Sequence, residues 1–113
     1  MPSLWLEDRL VVARLEEART PLARLRGLGL RQRLEFDQGL LLVPCNSIHT
    51  FWPSFPLDVL FLSRDFRILR ILHDLPPRRL SPVVWRSRQV LELTAGRARQ
   101  LGLEEDMTLR WEP

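Results

Sequence analysis

Apolar residues along this chain gather into short runs that alternate with polar ones or are apolar throughout, bounded by Gly, Pro, Asp and Ser. Leu10 to Leu15 alternates weakly and reads as a strand. Thr20-Pro21 then offers an N-cap followed by proline at the first helical position, with Leu22 and Leu25 three apart and Gly27 at the end, which predicts a short helix. Gly27 and Gly29 break it. Asp37-Gln38-Gly39 reads as a turn into Leu40 to Val43, an apolar strand. Pro44, Pro53 and Pro56 keep the following segment extended and exclude both a helix and a regular central strand. Leu57 to Ser63 is apolar on both faces and is predicted to be a central strand. Ser63-Arg64-Asp65-Phe66 turns the chain into a second strand, Arg67 to Leu72, so the pair forms a hairpin. After a proline-bracketed loop, Leu75 to Pro82, the strand Gln89 to Leu93 leads to Thr94, placed to cap a helix over Ala95 to Leu101. Gly102 ends that helix, and Met107 to Trp111 is the last strand.

These elements predict a mainly β, β-rich α+β chain: a small sandwich or partly open barrel with one or two short helices. With 113 residues, 45% of them hydrophobic, the whole chain 1–113 reads as one domain around one core. No repeat or linker divides it.

Charge alters this picture less than the isoelectric point suggests. The pI is near 10.8, yet 17 basic and 14 acidic residues leave a formal charge of only +3. Every basic side chain is Arg, and neither Lys nor Tyr occurs, so almost nothing titrates between neutrality and guanidinium. A small Arg excess therefore lifts the pI. Asp and Glu are interspersed with the arginines along the chain and no long unbroken basic run appears, which favours an ion-paired surface over a nucleic-acid groove. The first residues carry Glu7, Asp8, Arg9 and Arg14, unlike a signal peptide or membrane span, and the lone cysteine forms no internal disulfide. The expected location is the cytoplasm, with no membrane partner.

The candidate chemistry concentrates between Pro44 and Leu62, which hold the one cysteine, His49, and Asp58 inside an apolar run. In an extended backbone Cys45, Ser47 and His49 share one face, while Asn46, Ile48 and Thr50 share the other. Cys45 or Ser47 as nucleophile, with His49 as base and Asp58 as orienter, would make a small hydrolase. Cys45 and His49 are too far apart on an extended strand to touch unless the segment bends, and no Gly-rich loop supplies an oxyanion hole. Structural roles are favoured. A metal site from Cys45, His49, His73 and Asp58 lacks any ligand-spacing motif, so no metal or other cofactor is expected. Asp58 reads as an acceptor for backbone amides or an Arg partner, and His73 reads as a loop residue. Glu92, in Val-Leu-Glu-Leu, would pair with Asp58 or share an Arg with it if the two converge. Phe51, Trp52, Phe55 and Trp85 suit either a core corner or a platform for a planar ligand, with Trp52 the best exposed candidate.

Ser47-Ile48-His49-Thr50-Phe51 followed by Phe55-Pro56-Leu57-Asp58-Val59-Leu60-Phe61-Leu62 resembles the small prokaryotic family called domain of unknown function 192. Val90-Leu91-Glu92-Leu93-Thr94-Ala95-Gly96, then Leu101-Gly102-Leu103 and Asp106, resembles its C-terminal signature, and Arg26-Gly27-Leu28 and Gly39 to Leu42 match weaker N-terminal features. The resemblance covers about residues 10–110. It implies a compact, mainly β fold and brings no established reaction, substrate or cofactor. The chain departs from the family pattern at Pro53-Ser54, at Phe66 and at Glu105; Phe66 stands where glycine is usual, so a different turn type is expected around Asp65-Phe66.

The function expected from these residues is a non-catalytic binding or accessory domain that uses the surface around residues 47–58 for a small ligand or protein partner. Ser47, His49, Trp52, Phe55, Asp58 and Glu92 are its candidate contacts. The hydrolase using His49 and Asp58 with Cys45 or Ser47 is the alternative. Nucleic-acid binding through Arg64, Arg67, Arg78 and Arg79 is the third reading and the least favoured.

Overall fold

The structure, a computed structural model, describes residues 1–26, 34–50 and 54–113. In chain order its elements are β1 (Ser3–Leu6), β2 (Arg9–Val12), β3 (Arg14–Ala18), α1 (Pro21–Arg26), β4 (Gln38–Leu42), β5 (Leu57–Leu62), β6 (Ile68–Leu75), β7 (Gln89–Thr94), α2 (Arg97–Gln100) and β8 (Arg110–Glu112). They form a three-stranded sheet, β2-β1-β8, and a five-stranded sheet, β3-β4-β7-β5-β6. The β3–β4 pair is parallel and the other pairs are antiparallel. The chain is thus mainly β with two short helices, and its sheets stack without closing into a barrel.

Two cores follow from this layering. Leu4, Leu6, Val11 and Val12 of the small sheet meet Leu15, Leu41, Leu60, Leu62, Leu91 and Leu93 on one face of the large sheet. The other face carries Ala18, Leu40, Leu42, Leu57, Val59, Phe61 and Val90, covered by Leu34 and Ile48. Strand β5 is buried along its whole length, as a run apolar on both faces requires. The single residue Ala13 separates β2 from β3, where the chain leaves one sheet for the other; the amides of Ala13 and Arg14 both donate to Asp37 O, at 2.9 and 3.0 Å. The resulting corner lets a single extended run serve both layers.

The helix at Thr20-Pro21 forms as expected, with Thr20 Oγ1 accepting from Ala23 N at 3.1 Å. Its predicted terminators, Gly27 and Gly29, lie outside the described residues. The second helix departs from expectation. It spans only Arg97–Gln100, and its N-cap is Gly96 at φ 89°. Thr94 Oγ1 instead donates to Leu34 O at 2.7 Å, binding β7 to the chain before β4. His73 also belongs to a strand, β6, and not to a loop. Around Phe66 the expectation of another turn type is overturned, because Phe66 itself takes φ 66°. Its amide donates to Ser63 O at 3.0 Å, its carbonyl accepts from Leu109 N at 2.9 Å, and its ring packs on the inter-sheet core. Those contacts offset the left-handed backbone that a side chain disfavours.

Gly39 marks a close approach between the layers. A Cβ there would sit 3.0 Å from Val12 Cγ2 and 3.2 Å from both Leu91 Cδ1 and Leu93 Cδ2. Gly39→Ala is expected to destabilise the fold by about 1–3 kcal/mol through overpacking. Urea unfolding tests this; a midpoint equal to that of the unsubstituted protein would show that the three side chains yield freely.

Candidate functional site

Beyond β4 the chain passes through a cis Val43–Pro44 bond and becomes the polar segment Cys45 to Thr50. Its alternation is as the sequence predicts: Ile48 and Thr50 are buried, while Ser47 and His49 are half-buried. The prolines deny it a place in either sheet, so it pairs with the loop after β6. Cys45 N donates to Arg88 O (3.0 Å), Val84 N to Asn46 O (2.8 Å), Ser81 N to Ile48 O (2.9 Å) and Thr50 N to Arg79 O (2.8 Å). His49 opposes Leu80 in an isolated antiparallel bridge. Thr50 Oγ1 donates to Pro76 O at 2.8 Å and accepts from Arg79 N at 2.9 Å, and Ser81 Oγ accepts from Ile48 N at 2.8 Å. Segment and loop together roof the second core.

Asp58 and Glu92 do not converge. In the β5–β7 ladder Asp58 is paired with Leu93 and Val59 with Glu92. Cross-strand partners share a face, so Asp58 lies on the inter-sheet side and Glu92 on the roofed side. Both are withdrawn from water, with relative exposures of 0% and 4%. Asp58 accepts from Asp74 N (Oδ1, 3.0 Å) and from Ala98 N in the first turn of α2 (Oδ2, 2.9 Å). It therefore anchors the end of β6 and supplies the cap that Thr94 does not. Glu92, flanked by Leu40 and Val59, has no hydrogen-bond partner among the described residues, and burial pushes its carboxyl up to about 8.

This partition also separates the residues of the hydrolase alternative. Cys45 fringes the roofed core, across the sheet from Asp58. Its Sγ donates to Ser47 O at 3.0 Å, and burial pushes the thiol upward, away from the thiolate a nucleophile needs. Phe55 packs against the same core, and Trp52 lies outside the described residues. Among the described residues no group of His, Cys, Asp and Glu could hold a metal ion. The four arginines of the nucleic-acid reading are divided: Arg64 and Arg67 precede β6, Arg78 and Arg79 follow it, and Arg67 is paired with Asp106 at 2.6 Å.

A concavity of about 410 Å³ opens beside the segment, lined by Pro44, Cys45, Asn46, Trp85, Ser87 and Arg88. Trp85 is 85% exposed, the largest exposure among the described apolar side chains. It stands at the second position of a turn closed by Ser87 N donating to Val84 O at 2.8 Å. That turn is fixed from both sides. Val84 N is held by Asn46 O, Arg88 N donates to Leu62 O at 2.9 Å, and the buried Ser87 hydroxyl lies 3.0 Å from both Cys45 O and Gln89 O. Sequence reasoning counted Trp85 among the platform aromatics while preferring Trp52, and it did not single out Arg88 or Asn46 as contacts. The available signal was Trp85-Arg86 following Ser81-Pro82, an aromatic among turn-forming and charged residues rather than within an apolar run.

The sequence model of the DUF192 family, described as uncharacterized ACR, matches residues 5–111. A protein of unknown function from Novosphingobium aromaticivorans has a similar structure, with a TM-score of 0.85 at 25% identity, over 97% of this chain and 83% of that one. A chain from Sinorhizobium meliloti named a putative transcription regulator is similar with a TM-score of 0.76 at 28% identity, over 86% of this chain and 80% of that one. No curated protein matches.

The two carboxylates should respond differently to substitution. Asp58→Ala strands two amides and is expected to cost about 3 kcal/mol in urea unfolding, with Asp58→Asn costing less because one oxygen remains. Equal stability for Asp58→Ala and the unsubstituted protein would contradict the anchoring role. For Glu92 the native carboxyl, at about 8, keeps a proton that an ordinary Glu near 4.5 has released. Its favourable contribution is full below the lower value and is lost as pH rises through the upper one. Glu92→Gln should flatten a pH dependence whose slope is at most about 1.4 kcal/mol per pH unit. Parallel stability profiles for the two proteins from pH 5 to roughly pH 8 would refute the assignment.

Proposed function

The chain belongs to the DUF192 family, and from that premise we propose that it is a non-catalytic binding domain whose ligand occupies the groove between residues 44–46 and 85–88. The observation that carries this reading is Trp85, an indole left 85% exposed on a turn held by hydrogen bonds on both sides. Exposing so large a ring without using it forfeits burial energy, and a fixed turn spares a ligand the entropy of ordering it. The groove's size suits a small molecule. It adjoins the 47–58 surface singled out by the sequence, from which Asp58 and Glu92 are withdrawn as contacts by burial.

Catalysis is less well supported. Asp58, the orienter of that reading, lies across the sheet from Cys45, and burial favours the neutral form of Glu92 on the roofed side. Nucleic-acid binding would suit the name of the Sinorhizobium meliloti chain, a putative transcription regulator. The arginines first considered for it occupy opposite ends of β6, so they offer a phosphate backbone no continuous track.

The neutral planar probe 2-naphthamide tests the groove. Two-dimensional amide NMR is expected to show shifts concentrated at Asn46, Trp85, Ser87 and Arg88, and Trp85→Ala should weaken binding about fivefold or more. Shifts confined to other surfaces, or affinity unaffected by Trp85→Ala, would place binding elsewhere.

A further inference from the structure

The groove's charge is as distinctive as its aromatic wall. Arg88 lines it, and the Arg88 guanidinium has no hydrogen-bond or ion-pair partner among the described residues. From the Pro44 side comes a second guanidinium: Arg24 in α1 donates from Nη1 to Pro44 O at 2.7 Å and lies close enough to lower the Cys45 thiol electrostatically. Helix α1 is thereby tied to the groove wall by a side chain that keeps further donors to spare. The remaining lining residues, Asn46, Ser87, Cys45 and Trp85, carry no negative charge at neutral pH. Glu92 is the nearby carboxyl with which the thiol interacts, and its burial keeps it largely protonated at neutral pH. Positive charge in the groove is therefore not balanced locally.

We infer that the groove takes a planar organic anion, a flat ring bearing a carboxylate or a phosphate, with the ring on the Trp85 indole and the anionic group on the Arg88 guanidinium, within the field of Arg24. This rests on the groove being the binding site. Arg is suited to the role because its fork donates two parallel hydrogen bonds to a carboxylate or phosphate, while the exposed indole face accepts a flat ring. The Ser87 hydroxyl is already committed to Cys45 O and Gln89 O, which leaves the Asn46 side chain as the neutral polar contact. Selectivity between ring types then falls to Asn46 and Trp85, and selectivity for charge to Arg88.

Matched probe pairs test this, measured by titration on the full chain: 2-naphthoate against 2-naphthamide, and adenosine monophosphate against adenosine. At least one anion should bind about tenfold or more tightly than its neutral partner, and the pair showing the larger ratio identifies carboxylate or phosphate. Arg88→Gln should bring that ratio to within about twofold by weakening the anion more than its neutral partner, and Trp85→Ala should weaken both members of the pair. Both side chains are exposed, so neither substitution removes core packing. Equal binding of anion and neutral partner in both pairs, with Trp85→Ala weakening both, overturns the anion assignment and leaves the groove as the binding site. A charge preference that survives Arg88→Gln also overturns the assignment. Absence of binding by all four probes overturns the groove reading together with this inference.

Discussion

In the middle of the large sheet two carboxyl groups are withdrawn from water on opposite faces, and the chain meets that desolvation in two ways. Asp58 is given two backbone amides, from Asp74 and Ala98, which turns a buried charge into a joint between β5, the end of β6 and the start of α2. Such a joint is specific because neither an apolar residue nor water can replace both bonds in a closed core. Glu92 is given no partner among the described residues and is accommodated by holding its proton. One carboxylate thus fixes the connectivity of the layers, while the other sits under the roof that carries the candidate groove.

The roof depends on what the prolines forbid. Pro44 takes the chain out of β4, so the amides and carbonyls of Cys45 to Thr50 must find partners elsewhere, and the loop from Pro76 to Arg88 supplies them. That obligation places Asn46 beside Val84 and Cys45 beside Arg88, and it brings Trp85 to the groove. The site is therefore a product of backbone satisfaction around two irregular segments distant in sequence. Neither is regular secondary structure.

This explains which parts the sequence disclosed. Strand β5, the hairpin to β6, β7 and the Thr20-capped helix were legible because each rests on local periodicity or on a cap within one turn. The β1 strand and the division of Leu10 to Leu15 between two sheets were not, since the switch at Ala13 is decided by the tertiary bonds to Asp37. Thr94 looked like a cap because the true acceptor, Asp58, lies on another strand. Phe66 looked incompatible with a left-handed turn because its compensating contacts come from Ser63 and Leu109. The same limit applies to the site: Ser47, His49 and Asp58 cluster in sequence, yet the sheet lies between Asp58 and Cys45, whereas Trp85 and Arg88 reach Cys45 only through folding.

The bonds that hold the Val84–Ser87 turn all come from main chain or from the Ser87 hydroxyl, and the side chains of Trp85, Arg86 and Arg88 take part in none of them. Three surface side chains on either side of Ser87 are consequently released from any duty to the fold. Within a family that keeps this turn, residues there are free to diverge without loss of stability, so one scaffold can be retuned from ligand to ligand by exchanging a few side chains on a stationary frame.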